Sequence, residues 1–221
     1  MGAATLPWTL VWCGVGSSRR GAGLPEPSPP KAAATEEGHL TARPHQPDVP
    51  TPTATGETEL ELSDGGRAIV YAPTTLRPDQ PSPLAVMFHG AGGTAEDGLG
   101  ILRGLADDAG LILLAPKSQG RTWDLVLGGY GPDVALLDEA LNQVFDRYAV
   151  DPAHLAVGGF SDGASYALSV GTVNGRLFTH VIAFSPGFWV PGRSEGSPSY
   201  FITHGTDDEV LPIASTSRRL V

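Results

Sequence analysis

The fold is decided by the stretch HLAVGGFSDGASYALSV, residues 154–170. Its first five residues have the composition of a buried strand, its last seven favour a helix, and Ser161 lies in the turn between them. Gly159 and Gly163 carry no side chains that would clash where a strand and a helix cross closely. A serine held clear of the backbone in this way can act as a nucleophile once a base takes its proton. The alternative is an ordinary serine in a glycine-rich turn, in a chain with 29 glycines.

A second strand end lies in residues 84–93, LAVMFHGAGG, where an apolar run leads into a glycine-rich loop. Such a loop can direct backbone N–H groups toward one point and bind an oxyanion. We expect the N–H groups of Ala91 and of Asp162, the residue after the serine, to do this, with Gly92 as the next candidate. The position of His89 ahead of the serine, on another strand, favours a role in holding the loop over a role as the base.

A third strand end lies in residues 200–212, YFITHGTDDEVLP, where a short apolar strand runs into an acidic loop. Ligands of open α/β sheets bind beyond the carboxyl ends of the strands. Three strand ends therefore carry an oxyanion loop, a nucleophile and a carboxylate. In serine hydrolases, a carboxylate orients the histidine base and stabilises it once it is charged. Taken alone, an acidic loop tip is usually only solvated.

Together these motifs resemble those of the α/β-hydrolase serine esterases. The closest likeness is to the phospholipase/carboxylesterase group and its polyhydroxybutyrate-depolymerase and feruloyl-esterase-like relatives. The resemblance extends over residues 57–221 and includes GRTWD at 120–124. It implies Ser161 as the nucleophile and Asp208 as the catalytic acid, with Asp207 as the runner-up. It also implies that the chain cleaves small-molecule carboxylic esters through an acyl-enzyme, with no metal and no organic cofactor.

The resemblance places Trp123 near the active site, where with Gly92 it would contact the substrate. Trp123 could form the floor of an acyl or aromatic pocket. The alternative is a tryptophan that pins its own loop.

The histidines depart from the family pattern, in which the base follows the acid along the chain. All six histidines precede Asp208, at positions 39, 45, 89, 154, 180 and 204. The resemblance therefore implies a hydrolase truncated at its C-terminus, without its last strand and helix, in which the run from Ile213 starts a helix. Such a chain is expected to be weak or inactive toward esters. The alternatives are a non-catalytic binding module of the same fold and a hydrolase of another acyl bond, such as a peptide or thioester.

The chain divides into three parts by composition. Residues 1–23 form an uncertain segment, either signal-like or the product of a misassigned start, because the apolar stretch 6–15 has no positive residue before it. We therefore expect a cytoplasmic protein, with secretion as the alternative. Residues 24–55 are rich in proline and poor in apolar groups, which predicts a disordered linker. Residues 56–221 form the incomplete hydrolase domain.

Within that domain, apolar strand runs alternate with helical patterns. This alternation predicts an α/β fold with a mostly parallel sheet and helices on both faces. An alternating run followed by a turn predicts a β-hairpin over 58–71, and a stripe of apolar residues predicts a helix over 133–148. The strand 199–204 would be left as an exposed apolar edge, which favours aggregation. The predicted strands are 84–89, 111–115, 154–158, 179–184 and 199–204.

Composition argues against a nucleic-acid partner, an internal disulfide and a membrane span. The formal net charge of −10 argues against a nucleic-acid partner, because binding to phosphates needs a basic face. The only cysteine, Cys13, excludes an internal disulfide. No apolar run reaches the ~18 residues that a membrane span requires. The sequence does not specify an oligomeric state.

Overall fold

The computed structural model describes residues 37–47, 54–77 and 80–220. These residues form one seven-stranded sheet in the order β1-β2-β4-β3-β5-β6-β7. β2 pairs antiparallel with β1 and β4, and the remaining neighbours are parallel. The strands are β1 (Gly56–Glu61), β2 (Arg67–Ala72), β3 (Ser82–Phe88), β4 (Ile112–Pro116), β5 (Val150–Phe160), β6 (His180–Phe184) and β7 (Ser199–Thr203).

Five α-helices lie in the described part of the chain, and the helix predicted over 133–148 is displaced by one residue at each end. The α-helix expected from Ile213 is not formed, because the chain there makes turns and a short 3-10 helix, Ser217–Arg219. The α-helices are α1 (Ala95–Gly100), α2 (Ala106–Ala109), α3 (Asp124–Leu127), α4 (Pro132–Arg147) and α5 (Asp162–Val173).

Both faces of the sheet are covered, which confirms the predicted α/β architecture. Leu84, Val86 and Phe88 of β3 point to the face that is packed by α4 and α5. Ala85 and Met87 alternate with them and point to the face that is packed by α1 and α2. Because every second residue is buried on each face, β3 appears in the sequence as a continuous apolar run.

The predicted disordered linker 24–55 is wrong for residues 37–47. The N–H groups of Thr41 and Ala42 donate to Oδ1 of Asp138 in α4, each at 2.7 Å. The N–H of Leu40 donates to Oδ1 of Asn174 at 2.8 Å, and the Leu40 side chain joins the main core. Two buried acceptors on the domain thus satisfy the backbone donors of this segment. The predicted segment 1–23, and residues 24–36 and 48–53 of the predicted linker, lie outside the described residues.

None of the helices in the described part of the chain has the length and apolar character that a bilayer crossing requires.

Candidate active site

Ser161 is the single residue between the end of β5 and the start of α5. Its backbone has φ 56° and ψ −119°, a positive-φ conformation that non-glycine residues rarely adopt. The Ser161 N–H donates to the Phe184 carbonyl oxygen at 2.9 Å, and the Ser161 carbonyl accepts from the Ser165 N–H at 3.0 Å. The Ser161 side chain makes no capping hydrogen bond to the helix. Backbone hydrogen bonds therefore hold Ser161 in its strained conformation, and its hydroxyl is not used to cap the helix.

Two glycines make this turn possible. A Cβ at position 163 would overlap the carbonyl oxygen of Phe88, and a Cβ at position 159 would lie 2.6 Å from the carbonyl carbon of Gly163. Helix α5 thus crosses the ends of β3 and β5 at a distance that leaves no room for a methyl group. The sequence analysis predicted that side chains at positions 159 and 163 would clash where the strand and the helix cross, and the structure confirms this prediction.

The loop 89–93 lies beside the turn between β5 and α5 that carries Ser161, here called the elbow, at the same edge of the sheet. A Cβ built on Gly90 would lie 3.5 Å from the Ser161 Cβ and 3.3 Å from Cδ1 of Phe160. This proximity follows from the parallel pairing of β3 with β5, in which Phe88 is opposite Gly159. The two strand ends predicted to form an oxyanion hole are therefore adjacent.

The backbone donors of this loop are not equivalent. The Gly92 N–H donates to the Arg121 carbonyl oxygen at 2.6 Å, so the expectation that Gly92 supplies a free donor to the substrate is wrong. The Ala91 N–H has no backbone acceptor among the described residues. The N–H of Asp162 belongs to the first turn of α5, whose donors lack partners within the helix. The N–H groups of Ala91 and Asp162, on the two sides of the site, therefore have no backbone acceptor among the described residues.

His89 holds the oxyanion loop, as the sequence predicts. Its ring is fully buried, and Nδ1–H donates to the Gly90 carbonyl oxygen at 2.6 Å. Nε2 accepts a hydrogen bond from the Ser118 N–H at 3.1 Å, which fixes the neutral tautomer. Burial lowers the pKa of His89, in agreement with a neutral ring. His89 is therefore a structural residue and not a base.

Trp123 lies in the core, and the prediction that it contacts the substrate is wrong for this structure. It is 1% exposed, and its Nε1–H donates to the His89 carbonyl oxygen at 2.9 Å. Its ring stacks on Tyr166 with 4.9 Å between centroids and packs 4.7 Å from the Phe88 ring. Trp123 thus holds the loop 89–93 through its hydrogen bond to His89, which agrees with the alternative of a structural tryptophan.

Asp208 lies in the loop after β7 and is held by backbone donors. Its Oδ1 accepts hydrogen bonds from the N–H groups of Leu211 at 2.9 Å and Val210 at 3.0 Å. The Leu211 bond is the main cause that lowers the pKa of Asp208, so the carboxylate is ionised at neutral pH. The rival Asp207 is exposed. Asp208 is therefore the better fixed of the two candidate acids.

His204 lies beside Asp208, but its ring nitrogens make hydrogen bonds to Leu211 and Ser217. Its side chain is 1% exposed, and Nε2 lies 3.3 Å from Asp208 Oδ2. The Nε2–H donates to the Leu211 carbonyl oxygen at 2.6 Å, while Nδ1 and the Ser217 hydroxyl form a hydrogen bond of 2.7 Å. Both ring nitrogens are therefore occupied, and His204 stabilises the acid loop.

The remaining histidines also have partners away from Ser161, and all six fall within the described residues. These partners are Glu37 for His39, Asp146 for His45, Asp151 for His154 and Thr179 for His180. The strained turn at Ser161, two backbone N–H groups without backbone acceptors and a carboxylate held by backbone donors are thus present, while none of the six histidines makes a hydrogen bond to Ser161.

The order of the sheet and the tight turn at Ser161 are those of the α/β-hydrolase fold. A solved structure of acetyl xylan esterase from Aspergillus awamori matches the chain with a TM-score of 0.59, over 75% of this chain and 78% of that one, at 17% identity. No protein-family model matches the sequence. Probable feruloyl esterase C of Aspergillus oryzae is 31% identical over 103 residues, 46% of this chain. Feruloyl esterase C of Emericella nidulans is 28% identical over 159 residues, 68% of this chain.

The chain spans 37% of the length of the first of these feruloyl esterases and 57% of the second. The chain has the fold of α/β-hydrolase esterases and is similar in sequence to feruloyl esterases. This confirms the resemblance to the α/β-hydrolase esterases, while the truncation stays a prediction.

Proposed function

We propose that this chain is a serine hydrolase of the carboxylesterase type, in which the Ser161 hydroxyl attacks the carbonyl carbon of an ester. The observation that carries the proposal is the strained backbone of Ser161 beside the loop 89–93. The N–H groups of Ala91 and Asp162 would bind the oxyanion of the tetrahedral intermediate. A base takes the Ser161 hydroxyl proton and passes it to the leaving alcohol, and water then hydrolyses the acyl-enzyme to the carboxylic acid and free Ser161. The relatives' names make acetyl and feruloyl esters the first substrate classes to test.

The lack of a histidine base at Ser161 is expected to limit the rate of ester hydrolysis by this chain. The attack requires a proton acceptor at Ser161, and each of the six histidines is engaged elsewhere. Loss of a triad histidine costs about 10⁶ in turnover in a well-studied protease, while about 10³–10⁴ over water remains from the oxyanion hole and binding. We therefore expect slow, Ser161-dependent ester hydrolysis. In this scheme Asp208 would orient a base that binds between it and the serine.

Added imidazole tests this scheme directly, because it can occupy the place of a missing base. We expect imidazole to accelerate hydrolysis of p-nitrophenyl acetate by the parent chain beyond its effect on Ser161→Ala, which corrects for catalysis by imidazole alone. A fluorophosphonate should label the parent chain at Ser161, located by peptide mass spectrometry. Equal rates for the parent and Ser161→Ala, together with no label, would show that the chain is not a serine hydrolase.

A non-catalytic binding module is the second candidate function, and the engagement of all six histidines away from Ser161 favours it. This candidate predicts a folded protein whose Ser161 is not labelled even with imidazole present. Thioesters and peptides form the same tetrahedral intermediate as esters. Parallel rate measurements on an oxyester and a thioester with a common acyl group would therefore identify the preferred bond.

A further inference from the structure

Residues 118–124, here called the clamp segment, contact both halves of the candidate oxyanion hole. The carbonyl oxygen of Arg121 accepts the Gly92 N–H at 2.6 Å. The next residue, Thr122, donates its hydroxyl to Oδ2 of Asp162 at 2.6 Å. Two consecutive residues thus reach the loop that follows β3 and the first residue of α5, which follows β5. Gly92 adjoins the donor Ala91, and Asp162 itself carries the second donor.

The clamp segment also holds His89, at the base of the loop 89–93. The Ser118 N–H donates to Nε2 of His89 at 3.1 Å, and the Trp123 indole N–H donates to the His89 carbonyl oxygen at 2.9 Å. Together with the Arg121–Gly92 bond, these contacts attach the loop to the clamp segment at three points. Thr122 extends these contacts to α5, because its hydroxyl binds the Asp162 carboxylate at the start of that helix.

Two carboxylates, the partly buried Asp124 and the buried Asp133, brace the clamp segment against the start of α4. Asp124 Oδ2 accepts the N–H groups of Gly131 at 2.8 Å and Asp133 at 2.9 Å. In return, Asp133 accepts the N–H of Asp124 at 2.8 Å through Oδ2 and the N–H of Gln119 at 2.7 Å through Oδ1. Both ends of the clamp segment are therefore attached to the start of the long helix α4, which supports Thr122 in a fixed position.

We propose that Thr122 is a positioning residue for ester hydrolysis, which sets the separation between the Ala91 and Asp162 N–H groups. The proposal rests on the proposed function, because it assumes that these groups bind an oxyanion. The oxyanion exists only in the transition state and the intermediate, so a displaced donor lowers kcat more than it changes KM. Displacement of catalytic groups by about 1 Å can cost on the order of 10²-fold in rate. Release of one anchor out of several is expected to cost less.

Substitution of Thr122 tests the proposal. Thr122→Val removes the hydroxyl and keeps the shape of the side chain, and Thr122→Ser restores the hydroxyl. Thr74→Val is the matched control, because Thr74 Oγ1 makes a hydrogen bond of the same kind to Asp107 at 2.9 Å, past the end of β2 and at the opposite edge of the sheet. The readouts are kcat and KM for p-nitrophenyl acetate with imidazole, the rate of fluorophosphonate labelling, and Tm.

We expect Thr122→Val to lower kcat and the labelling rate about tenfold, with KM changed by less than about twofold. Thr122→Ser should recover most of the loss, and Thr74→Val should match the parent. A Thr122→Val variant with the parent's kcat would overturn the proposal. A loss of rate that is shared by Thr74→Val, or that merely follows a lower Tm, would overturn it as well.

Hydrogen exchange separates this proposal from the proposed function. In Thr122→Val, the Gly92 amide should exchange faster, because its acceptor Arg121 sits on a segment that has lost an anchor. In Thr74→Val, it should exchange at the parent's rate. Unchanged exchange at Gly92 in Thr122→Val would refute the positioning role whatever the activity. If the parent is neither labelled nor active, the proposed function fails, while exchange at Gly92 still decides whether Thr122 organises the loop.

Discussion

The hydroxyl of Ser165 accepts a hydrogen bond from the Gly187 N–H at 2.9 Å, and it accepts a longer one from the Phe188 N–H at 3.3 Å. The same hydroxyl donates to the Ser161 carbonyl oxygen at 3.2 Å. Ser165 is fully buried on α5, one turn after the elbow. A single side chain therefore ties the loop that follows β6 to the backbone of the candidate nucleophile.

Replacement of Ser165 by Ala should destabilise the protein by about 1–3 kcal/mol, because two backbone N–H groups lose their acceptor. Urea denaturation gives this loss, and hydrogen exchange should accelerate at Gly187. Ser169→Ala is the matched control. Ser169 is equally buried, but its hydroxyl accepts the Val190 N–H at 3.1 Å, so exchange should accelerate at Val190 instead. If Ser165→Ala kept the parent's exchange rate at Gly187, the hydrogen bond would have no role in holding the loop.

Asp124 should make stability depend on pH. Burial, and then the nearby Asp133 carboxylate, raise the pKa of Asp124 from 3.8 to about 6. The buried Oδ1 of Asp124 has no hydrogen-bond partner within the described residues. Because the folded state prefers protonated Asp124, its contribution to stability is full below pH ~4 and is lost as the pH rises through ~6. A difference of about two pKa units corresponds to about 3 kcal/mol as an upper value.

Asp124→Asn should therefore raise the free energy of unfolding at pH 8 relative to the parent, and the gain should vanish near pH 4. The amide oxygen can replace Oδ2, which accepts two backbone N–H groups, while the amide nitrogen replaces the unpartnered Oδ1. Asp133→Asn is the contrasting control. Both Asp133 oxygens accept N–H groups, so an amide nitrogen there meets a donor and should destabilise at both pH values. Urea denaturation at the two pH values would contradict this account if Asp124→Asn lost stability at pH 8.

Trp123 should behave as a core residue and not as a substrate contact. Trp123→Phe removes the indole N–H that binds the His89 carbonyl oxygen and part of the ring that stacks on Tyr166. We expect a loss of about 1–3 kcal/mol in the free energy of unfolding, with KM for p-nitrophenyl esters near the parent value. An increase in KM across a series of acyl chain lengths, at unchanged stability, would instead support the pocket role that its position in the sequence suggested.

Local patterns were sufficient to predict the elements that bear the site. The periodicity of apolar residues predicts α4, and the glycines around Ser161 predict a strand–turn–helix. These features depend on neighbours within a few residues, which a sequence displays directly. The alternation of apolar runs with helical patterns likewise predicts the parallel sheet, and hence that the three functional loops share one edge.

Contacts between distant residues were the part that the sequence did not reveal. Thr122 meets Asp162 across 40 positions, and Thr41 meets Asp138 across 97, with no local pattern to announce either pair. The prolines around residues 37–47 indicate disorder, because the sequence does not show that Asp138 and Asn174 accept the backbone N–H groups of this segment. The burial of Trp123 also depends on Phe88 and Tyr166, which come from other elements. A polar or aromatic residue near a site can therefore be a support or a ligand contact, and only packing distinguishes them.

The edge strand β7 should make the protein prone to self-association. Within the described residues, β7 pairs only with β6, so its other side presents free N–H and C=O groups. Phe201 on this strand is 58% exposed. Phe201→Lys should reduce light scattering on heating, because a charge at the edge opposes pairing with another strand. Leu127→Lys is the control, since Leu127 is 74% exposed but lies on α3, away from any strand edge. An equal reduction in both variants would mean that net charge and apolar exposure govern association, and that the unpaired edge of β7 does not.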